Sequence, residues 1–519
     1  MIKLLAFGVV SVVLFSAGQS ASVRDRLREL RQQARAQRMA GQNEARLSTN
    51  LAIEELLHHS ARSLESTAAA YTSVGDKDRA LAALERVAAM GEADDRLRKG
   101  SDTEFFPMHA DPRYQAILER FTNNESSIAR SVSLITISDP KLVTEDIDFD
   151  SATDTFLITS VLENKIVRVT KSGTITDFAT SPSKWPMFAL KIDAKRRRVW
   201  ATEVALDNLN SVPKTSWGHS ALLCFDLRTG KLLRRIKASL PAELGDMILL
   251  RNGLPIVSDG SGGGVYQLEG DHLRRLDHGD FISPQTPALL DDDFHILVPD
   301  YLRGIAVMDI RTGAVRWLNS DGAVPLALTG IDGLYRDGET LLLIQNGTTP
   351  ERVSRISANA EFTALEAGDV IERNTPTLGD PTHGVVVGKG FYYLTNSGWD
   401  QLDDNGNPKP GGVLTSAHLM RFDLVARADP STAEAPLIAP HTYEIAGGMV
   451  AGHQPDGNTY ILESAEGVTV IDTGRHAEHL LKIEKFAADK HASITAIINS
   501  HQHLDHPCPM APTSSPSPE

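Results

Sequence analysis

The sequence has few cysteines, few aromatic residues and no excess of positive charge. Only two of its 519 residues are cysteines, Cys224 and Cys508. They lie far apart, so we expect neither a disulfide framework nor a zinc site built from cysteines. Acidic residues outnumber basic ones by 67 to 52, which gives a formal net charge of −15. We therefore expect no nucleic-acid partner.

Long apolar runs are also absent, except at the N-terminus. There, Lys3 precedes an apolar run from Leu4 to Phe15, and small residues follow it. The run is too short to span a bilayer comfortably, so residues 1–21 are typical of a signal peptide that is cleaved near Ala21 or Ser22. The alternative is a retained membrane anchor. We expect a periplasmic or secreted protein without a membrane span after cleavage.

Residues 22–125 have the apolar periodicity of helices. Gly75 ends one predicted helix and Asp76 caps the next, whose buried face is predicted to contain Leu81, Leu84 and Val87. The pair is similar to one tetratricopeptide-type hairpin. A single repeat cannot bury its own face, so we expect it to pack on neighbouring elements. The alternative is a groove that binds a protein partner.

Residues 130–428 change to short β-rich runs that are separated by turns such as "KSG", "RTG", "RNG" and "RDG". One cassette of strands and turns recurs six times, beginning near residues 144, 187, 244, 285, 330 and 381. One such sheet is stable only between others, and a ring of six hides most strand edges. The sequence therefore predicts a six-bladed β-propeller, in which "ARSVSLITISD" (129–139) completes the last blade.

The innermost strand of each blade lines the central channel, and the residues at its start lie near the channel mouth. These residues are Glu145, Asp146, Lys184, Trp185, Asp246, Gln285, Thr286, Asp332, Asp380, Thr382 and His383. Several carboxylates at one axis repel each other unless a cation lies among them. Calcium prefers such oxygen ligands, so the sequence predicts a calcium site.

The cassettes "TEDIDFDSATDTFLITSV", "GDMILLRNGLPIVSDGS" and "IDGLYRDGETLLLIQNG" resemble blades of the gluconolactonase/senescence-marker (paraoxonase-like) propeller family. Members of that family hold calcium at the channel axis and use it to polarise the carbonyl of a lactone or ester. The resemblance implies Glu145, Asp246 and Asp332 as calcium ligands. Gly245 stands where the family usually has an asparagine ligand, and Asp246 follows it directly.

Three further residues receive predicted roles at the channel mouth. His383 is the candidate general base, and the alternative is a histidine that is only hydrogen-bonded at the rim. Trp185 and Asp380 are the candidate substrate-binding residues, although a tryptophan at this place is more often part of the packing. The expected ligand is a small-molecule substrate.

After a linker at 429–441, residues 442–506 change pattern again. Two strands end at "IDTG", a helix and a buried strand follow, and the strand leads into "HQHLDH". This order closely resembles the opening of a metallo-β-lactamase-fold hydrolase. The resemblance implies that His501 and His503 bind one zinc ion and that Asp505 and His506 bind a second, with Asp472 supporting them.

The last residues, 507–519, contain several prolines and no periodicity, so we expect a disordered tail. Family members take further zinc ligands from later in the chain, and catalytic zinc needs three protein ligands with an open position. We therefore expect an incomplete α/β fragment of truncated origin and an incomplete zinc site.

Three functions follow from these patterns. The first is a calcium-dependent lactonase or ester hydrolase in the propeller. The second is a non-catalytic propeller that binds a ligand or a protein. The third is the remnant of a zinc hydrolase, inactive because it is truncated. The predicted fold is mainly β, with a helical unit before the propeller and the α/β fragment after it.

Overall fold

In the computed structural model the described residues run from 22 to 500, except for positions 102, 208, 210–211, 240, 320–323, 425–436, 449–455, 465 and 491. The predicted signal peptide (1–21) and tail (507–519) lie outside them. The chain forms two compact units, Met1–Asp423 and Leu424–Glu519. None of the helices in the described part has the length and apolar character that a membrane span requires.

The first unit begins with a helical segment. Its helices are α1 (Val23–Met39), α2 (Asn43–Leu56), α3 (Ala61–Ser73), α4 (Lys77–Ala89), α5 (Asp95–Arg98) and α6 (Pro112–Asn124). The side chain of Asp76 accepts from the N–H of Arg79 and caps α4, as predicted. The predicted face of α4 is buried against α3 and α6, with Leu84 and Val87 fully enclosed. The tetratricopeptide relationship stays a prediction.

Six antiparallel sheets follow the helices, and their strands run outward in chain order. Blades one to three contain β3 (Thr144–Asp150), β4 (Thr155–Ser160), β5 (Lys165–Thr170), β6 (Ile175–Thr180), β7 (Met187–Asp193), β8 (Arg198–Val204), β9 (Ser220–Asp226), β10 (Leu232–Lys237), β11 (Leu244–Leu249), β12 (Pro255–Asp259), β13 (Gly264–Glu269) and β14 (His272–Arg275). Blades four to six contain β15 (Ala288–Leu289), β16 (His295–Asp300), β17 (Gly304–Asp309), β18 (Val315–Trp317), β19 (Ile331–Asp337), β20 (Thr340–Gln345), β21 (Arg352–Ala358), β22 (Leu365–Arg373), β23 (Gly384–Val387), β24 (Gly390–Thr395) and β25 (Ala417–Asp423).

The six sheets close into a ring. The first strand of each blade (β3, β7, β11, β15, β19 and β23) contacts the first strand of the next blade, and β23 contacts β3. The strand β2 (Val132–Ile137) pairs with β25 and completes blade six, as predicted. The short strand β1 (Ile128–Ala129) adds to the edge of blade five. The predicted six-bladed propeller is therefore confirmed.

The recurring "D-x-x-T-G" motif forms the hairpins at the outer part of blades two and four. In blade two, the Asp226 carboxylate accepts from the backbone N–H groups of Arg228 and Thr229. Gly230 follows with φ +69°, and a side chain there would collide with the carbonyl of Phe178 in blade one. Glycine is therefore required where neighbouring blades approach each other.

The second unit is a smaller α/β structure. It contains β26 (Leu437–Ala439), β27 (Thr442–Ile445), β28 (Thr459–Ser464), β29 (Gly467–Ile471), α7 (Ala477–Asp489) and β30 (Ile494–Ile498). The strands β26–β29 pair antiparallel, and β30 pairs parallel to β29. The crossover from β29 through α7 to β30 is the predicted strand–helix–strand order. Ile461, Val470 and Ile483 form its core.

Candidate functional site

Local irregularities at the start of the inner strands position the predicted ligands. In β3 the register shifts between Thr144 and Ile147, so Glu145 has no paired residue in β4. The same kind of shift skips Gly245 in β11 and Asp332 in β19. A β-bulge redirects a side chain out of the regular alternation of the strand. The inner strand of blade two, β7, has the same kind of shift between Met187 and Leu190, so four of the six blades use a bulge at the channel mouth.

His383 directly precedes β23 and lies at the centre of the buried cluster. Its Nε2 lies 2.7 Å from Oδ1 of Asp246, and its Nδ1 lies 3.0 Å from the carbonyl oxygen of Glu145. Both partners are acceptors, so both ring nitrogens donate and the ring is an imidazolium. Burial lowers the pKa of His383, but the bond to Asp246 and the charge of Asp332 outweigh it and raise that pKa to about 10.

The two hydrogen bonds of His383 restrict its predicted role as the general base. A general base needs a nitrogen lone pair within reach of the attacking water. Because both nitrogens of His383 donate to protein acceptors, the ring must break one of these bonds before it can accept a proton. The role of His383 as the base stays a prediction.

The carboxylates of Glu145 and Asp332 each have one oxygen held by a side-chain donor. Trp399 Nε1 donates to Oε2 of Glu145, at 2.5 Å, and Asn346 Nδ2 donates to Oδ2 of Asp332, at 2.9 Å. Among the described residues, no hydrogen-bond donor reaches Oε1 of Glu145 or Oδ1 of Asp332. Tyr301 in turn donates to Oδ1 of Asn346, at 3.0 Å. One oxygen of each carboxylate therefore remains for an external ligand.

The buried environment destabilises the charged forms of Glu145 and Asp332. Burial raises the pKa of Glu145 to about 8, and the negative charges of Asp332 and Asp246 add to the effect against the opposing charge of His383. Burial likewise raises the pKa of Asp332 to about 7, with Asp246 and Asp380 adding to it. A bound cation would relieve this cost.

Glu145 and Asp332 face one cavity of about 390 Å³ at the channel mouth, which we call the axial cavity. Its other lining residues are Ser283, Gln285, Tyr301, Asn346, Asp380, Thr382 and Trp399. Within the described residues, no three His, Cys, Asp or Glu side chains are placed to enclose a metal ion together. Calcium, however, also takes neutral amide and hydroxyl oxygens and water. The donor set of the axial cavity fits calcium in that mixed form.

Asp246 is engaged differently from the other two predicted ligands. Its Oδ1 accepts from His383 Nε2 and from the hydroxyl of Thr286. Only its Oδ2 remains for a cation, and Asp246 is not among the residues that line the axial cavity. Its role as a calcium ligand stays a prediction.

Asp380 lies in the wall of the axial cavity, and Trp185 does not. The Oδ2 of Asp380 accepts from the hydroxyl of Ser397, at 2.8 Å, and burial raises the pKa of Asp380. Trp185 belongs instead to an apolar cluster beside the channel, with the guanidinium of Arg235 above its ring. The substrate-binding roles of both residues stay predictions, and the placement of Trp185 favours packing.

The lining residues that were not predicted include two aromatic ones, Tyr301 and Trp399. Each follows the end of a second strand of its blade, in "PDYL" and "TNSGWD". The sequence signal that could have identified them is an aromatic residue that follows the polar residues at the end of a strand.

Asp146, which follows Glu145 in β3, belongs to a separate charge pair. Asp146 accepts from Nζ of Lys191 at 2.7 Å and from the N–H of Leu190 at 2.7 Å. This carboxylate is therefore neutralised by a lysine and is not part of the axial cavity. Burial raises the pKa of the neighbouring Asp148 to about 6.

The predicted zinc ligands of the second unit, His501, His503, Asp505 and His506, lie outside the described residues. The residues that lead to them are described. Asp472, with φ +59°, accepts from the N–H and from the hydroxyl of Ser500, each at 2.7 Å. The end of β30 is thus joined to the end of β29. Zinc binding stays a prediction.

Comparisons with known proteins identify similarities in both units. The sequence profile of the metallo-beta-lactamase superfamily matches residues 454–506. No curated protein matches the chain significantly. Similar solved structures include a gluconolactonase from Xanthomonas campestris, with 16% identity, a TM-score of 0.38 and coverage of 56% of this chain and 88% of that one.

Two further similar structures are a calcium-binding regucalcin from Agrobacterium tumefaciens and a luciferin-regenerating enzyme. The first has 17% identity, a TM-score of 0.37 and coverage of 57% of this chain and 95% of that one. The second has 15% identity, a TM-score of 0.40 and coverage of 57% and 95%. These identities and TM-scores are too low to transfer an activity.

Proposed function

We propose that the first unit is an exported hydrolase of lactones or other small esters that acts in the axial cavity with calcium. One observation carries this proposal. Two buried carboxylates, Glu145 and Asp332, face the same cavity, and each has an oxygen without a donor in the described residues. Buried carboxylates are normally paired with a cation or hydrogen-bonded throughout.

The residues of the axial cavity would divide the work as follows. Glu145 and Asp332 would hold calcium together with neutral oxygens such as that of Asn346. Calcium supplies polarisation of the ester carbonyl when it is bound. His383, with both nitrogens donating, fixes the carboxylate of Asp246 and the backbone of Glu145.

Asp380 would accept the proton of the attacking water. Its Oδ2 is held by Ser397, which leaves Oδ1 for water in the cavity. Water oxygen would bond to the carbonyl carbon while its proton passes to Asp380. The carbon–oxygen bond of the ester would then break as Asp380 returns this proton to the leaving alcohol oxygen. A carboxyl whose pKa is raised by burial is a stronger proton acceptor than an ordinary one.

A hydrolysis screen tests this function. We expect the purified protein to open at least one of a panel of γ- and δ-lactones and aryl esters in millimolar calcium, and to lose that activity in chelator. The same panel with heat-denatured protein is the control. No hydrolysis above the control with any substrate, or an equal rate in chelator, would contradict the proposal. Calcium binding without hydrolysis would instead favour a binding scaffold.

The family match to residues 454–506 favours a second function for the second unit. We propose that His501, His503, Asp505 and His506 bind zinc. We expect the purified protein to contain zinc and the His501→Ala/His503→Ala variant to lose most of it. The His441→Ala variant, changed in a turn of the same unit, is the matched control. Equal zinc content in all three proteins would rule out this site.

A further inference from the structure

A second cavity, of about 550 Å³, lies between the helical segment and the propeller. Arg31 of α1 and Arg62 of α3 line it on one side, and Tyr301 and Thr349 of the propeller line it on the other. Tyr301 also lines the axial cavity and is connected to Asp332 through Asn346. The two cavities are therefore neighbours that share one residue in their walls.

The guanidinium groups of Arg31 and Arg62 have no protein partner in the described residues. Burial lowers the pKa of Arg31. The positive charge of Arg62 lowers this pKa further, which shows that the two guanidinium groups repel each other. The charge of Arg62 acts on Glu65 and Glu92, but in the described residues neither guanidinium forms an ion pair with a carboxylate. Two arginines in this state form a natural receptor for an oxyanion, because each offers a planar set of donors.

The acidic residues of the same cavity are already neutralised. Asp94 is held by Arg96 at 2.6 Å, and Glu92 is held by the buried Arg352 at 2.8 Å. Burial and the charge of Asp94 raise the pKa of Glu65 to about 8, so this carboxyl is largely protonated at neutral pH. Among the described residues of the cavity, Arg31 and Arg62 are therefore the cations that have no ion pair.

The approach to this cavity is also basic. Arg24, Arg28, Arg31 and Arg35 follow helical spacing along one face of α1, and all four line a shallower cavity of about 320 Å³ that shares Arg31 with the larger one. The chain as a whole carries a net charge of −15. A basic row on an acidic protein attracts anions to one place and raises their rate of association.

We propose that the cavity between the helical segment and the propeller binds an oxyanion group of the substrate, a carboxylate or a phosphate, through Arg31 and Arg62. This inference rests on the proposed hydrolase function for the identity of the ligand, since the ester group then occupies the axial cavity on the other side of Tyr301. The substrate class is an anionic lactone or ester. The helical segment thereby contributes to the specificity of the propeller.

Binding of inorganic phosphate to the full chain tests the site without turnover. By isothermal titration calorimetry at low salt, we expect one phosphate to bind the wild type and the affinity to fall at least tenfold in the Arg31→Gln/Arg62→Gln variant. Arg228→Gln is the matched control, because Arg228 is an exposed arginine on the outer hairpin of blade two. Equal phosphate affinity in all three proteins would overturn the proposal.

Kinetics then distinguish a substrate carboxylate from free phosphate as the ligand. We expect the KM of a lactone that carries a carboxylate to rise at least tenfold in the double variant relative to the KM of its neutral methyl ester. Equal changes for both substrates would overturn the assignment to the substrate. If no ester is hydrolysed but phosphate binding still depends on the two arginines, the hydrolase proposal fails and the oxyanion site stands.

Discussion

Replacing Arg352 with methionine is expected to lower the free energy of unfolding of the first unit by about 3–5 kcal/mol. Arg352 is fully buried in blade five and donates to Glu92 at 2.8 Å, to the carbonyl of Gly91 at 2.9 Å and to Gln345 at 3.2 Å. The variant leaves the carboxylate of Glu92 buried without its cation. It also removes two hydrogen bonds, to Gly91 and Glu92, that join the helical segment to the propeller.

The measurement is urea unfolding followed by tryptophan fluorescence, since all five tryptophans lie in the propeller. Arg355→Met is the matched control on the same strand. Its ion pair with Asp369 is partly exposed, so we expect a loss below about 1 kcal/mol. The Arg352→Met/Glu92→Met double variant should recover much of the loss, because no unpaired charge remains. Equal losses for Arg352→Met and Arg355→Met would contradict this account.

Glu145→Gln and Gly245→Asn are expected to change calcium affinity in opposite directions. Glu145→Gln keeps the volume and the bond from Trp399 but removes a charge from the calcium site, so we expect affinity and calcium-dependent hydrolysis to fall about 100-fold. Gly245→Asn adds an amide oxygen at a bulge where a Cβ would meet nothing closer than 3.9 Å. One more oxygen ligand should raise the affinity about tenfold.

Without calcium, Glu145→Gln should reduce the dependence of folding stability on pH. The pKa of Glu145 is raised from 4.5 to about 8, so the folded protein binds more protons than the unfolded chain between these values. The stability of the wild type in chelator should therefore fall as the pH rises from about 4.5 to 8, and this fall should be smaller in the variant. Glu163→Gln, which removes a glutamate paired with Lys165 in the same blade, is the control. Identical pH profiles for wild type and Glu145→Gln would contradict the burial argument.

The sequence predicted the ring because its signals are local. Each blade repeats an apolar strand, such as the fully buried β4, and turns such as the one at Asp226 that are fixed by their own residues. The closing strand β2 could be placed because a blade with three strands leaves an edge. These features need no knowledge of distant residues.

The site could be predicted only in part because its contacts join distant residues. The pairing of His383 with Asp246 spans 137 positions, and that of Arg352 with Glu92 spans 260. The periodicity of apolar residues along the sequence does not indicate such distant pairs. Residue types at strand starts identified Glu145 as a channel residue. The hydrogen bond between His383 and one oxygen of Asp246 is visible only in the structure.

The most direct test of the central claim is a crystal structure of the protein grown with calcium. The account predicts one ion in the axial cavity, with carboxylate oxygens of both Glu145 and Asp332 at about 2.3–2.6 Å from it. Neutral oxygens and water would complete its shell. An ion bound elsewhere in the first unit, or an empty axial cavity at millimolar calcium, would contradict the claim.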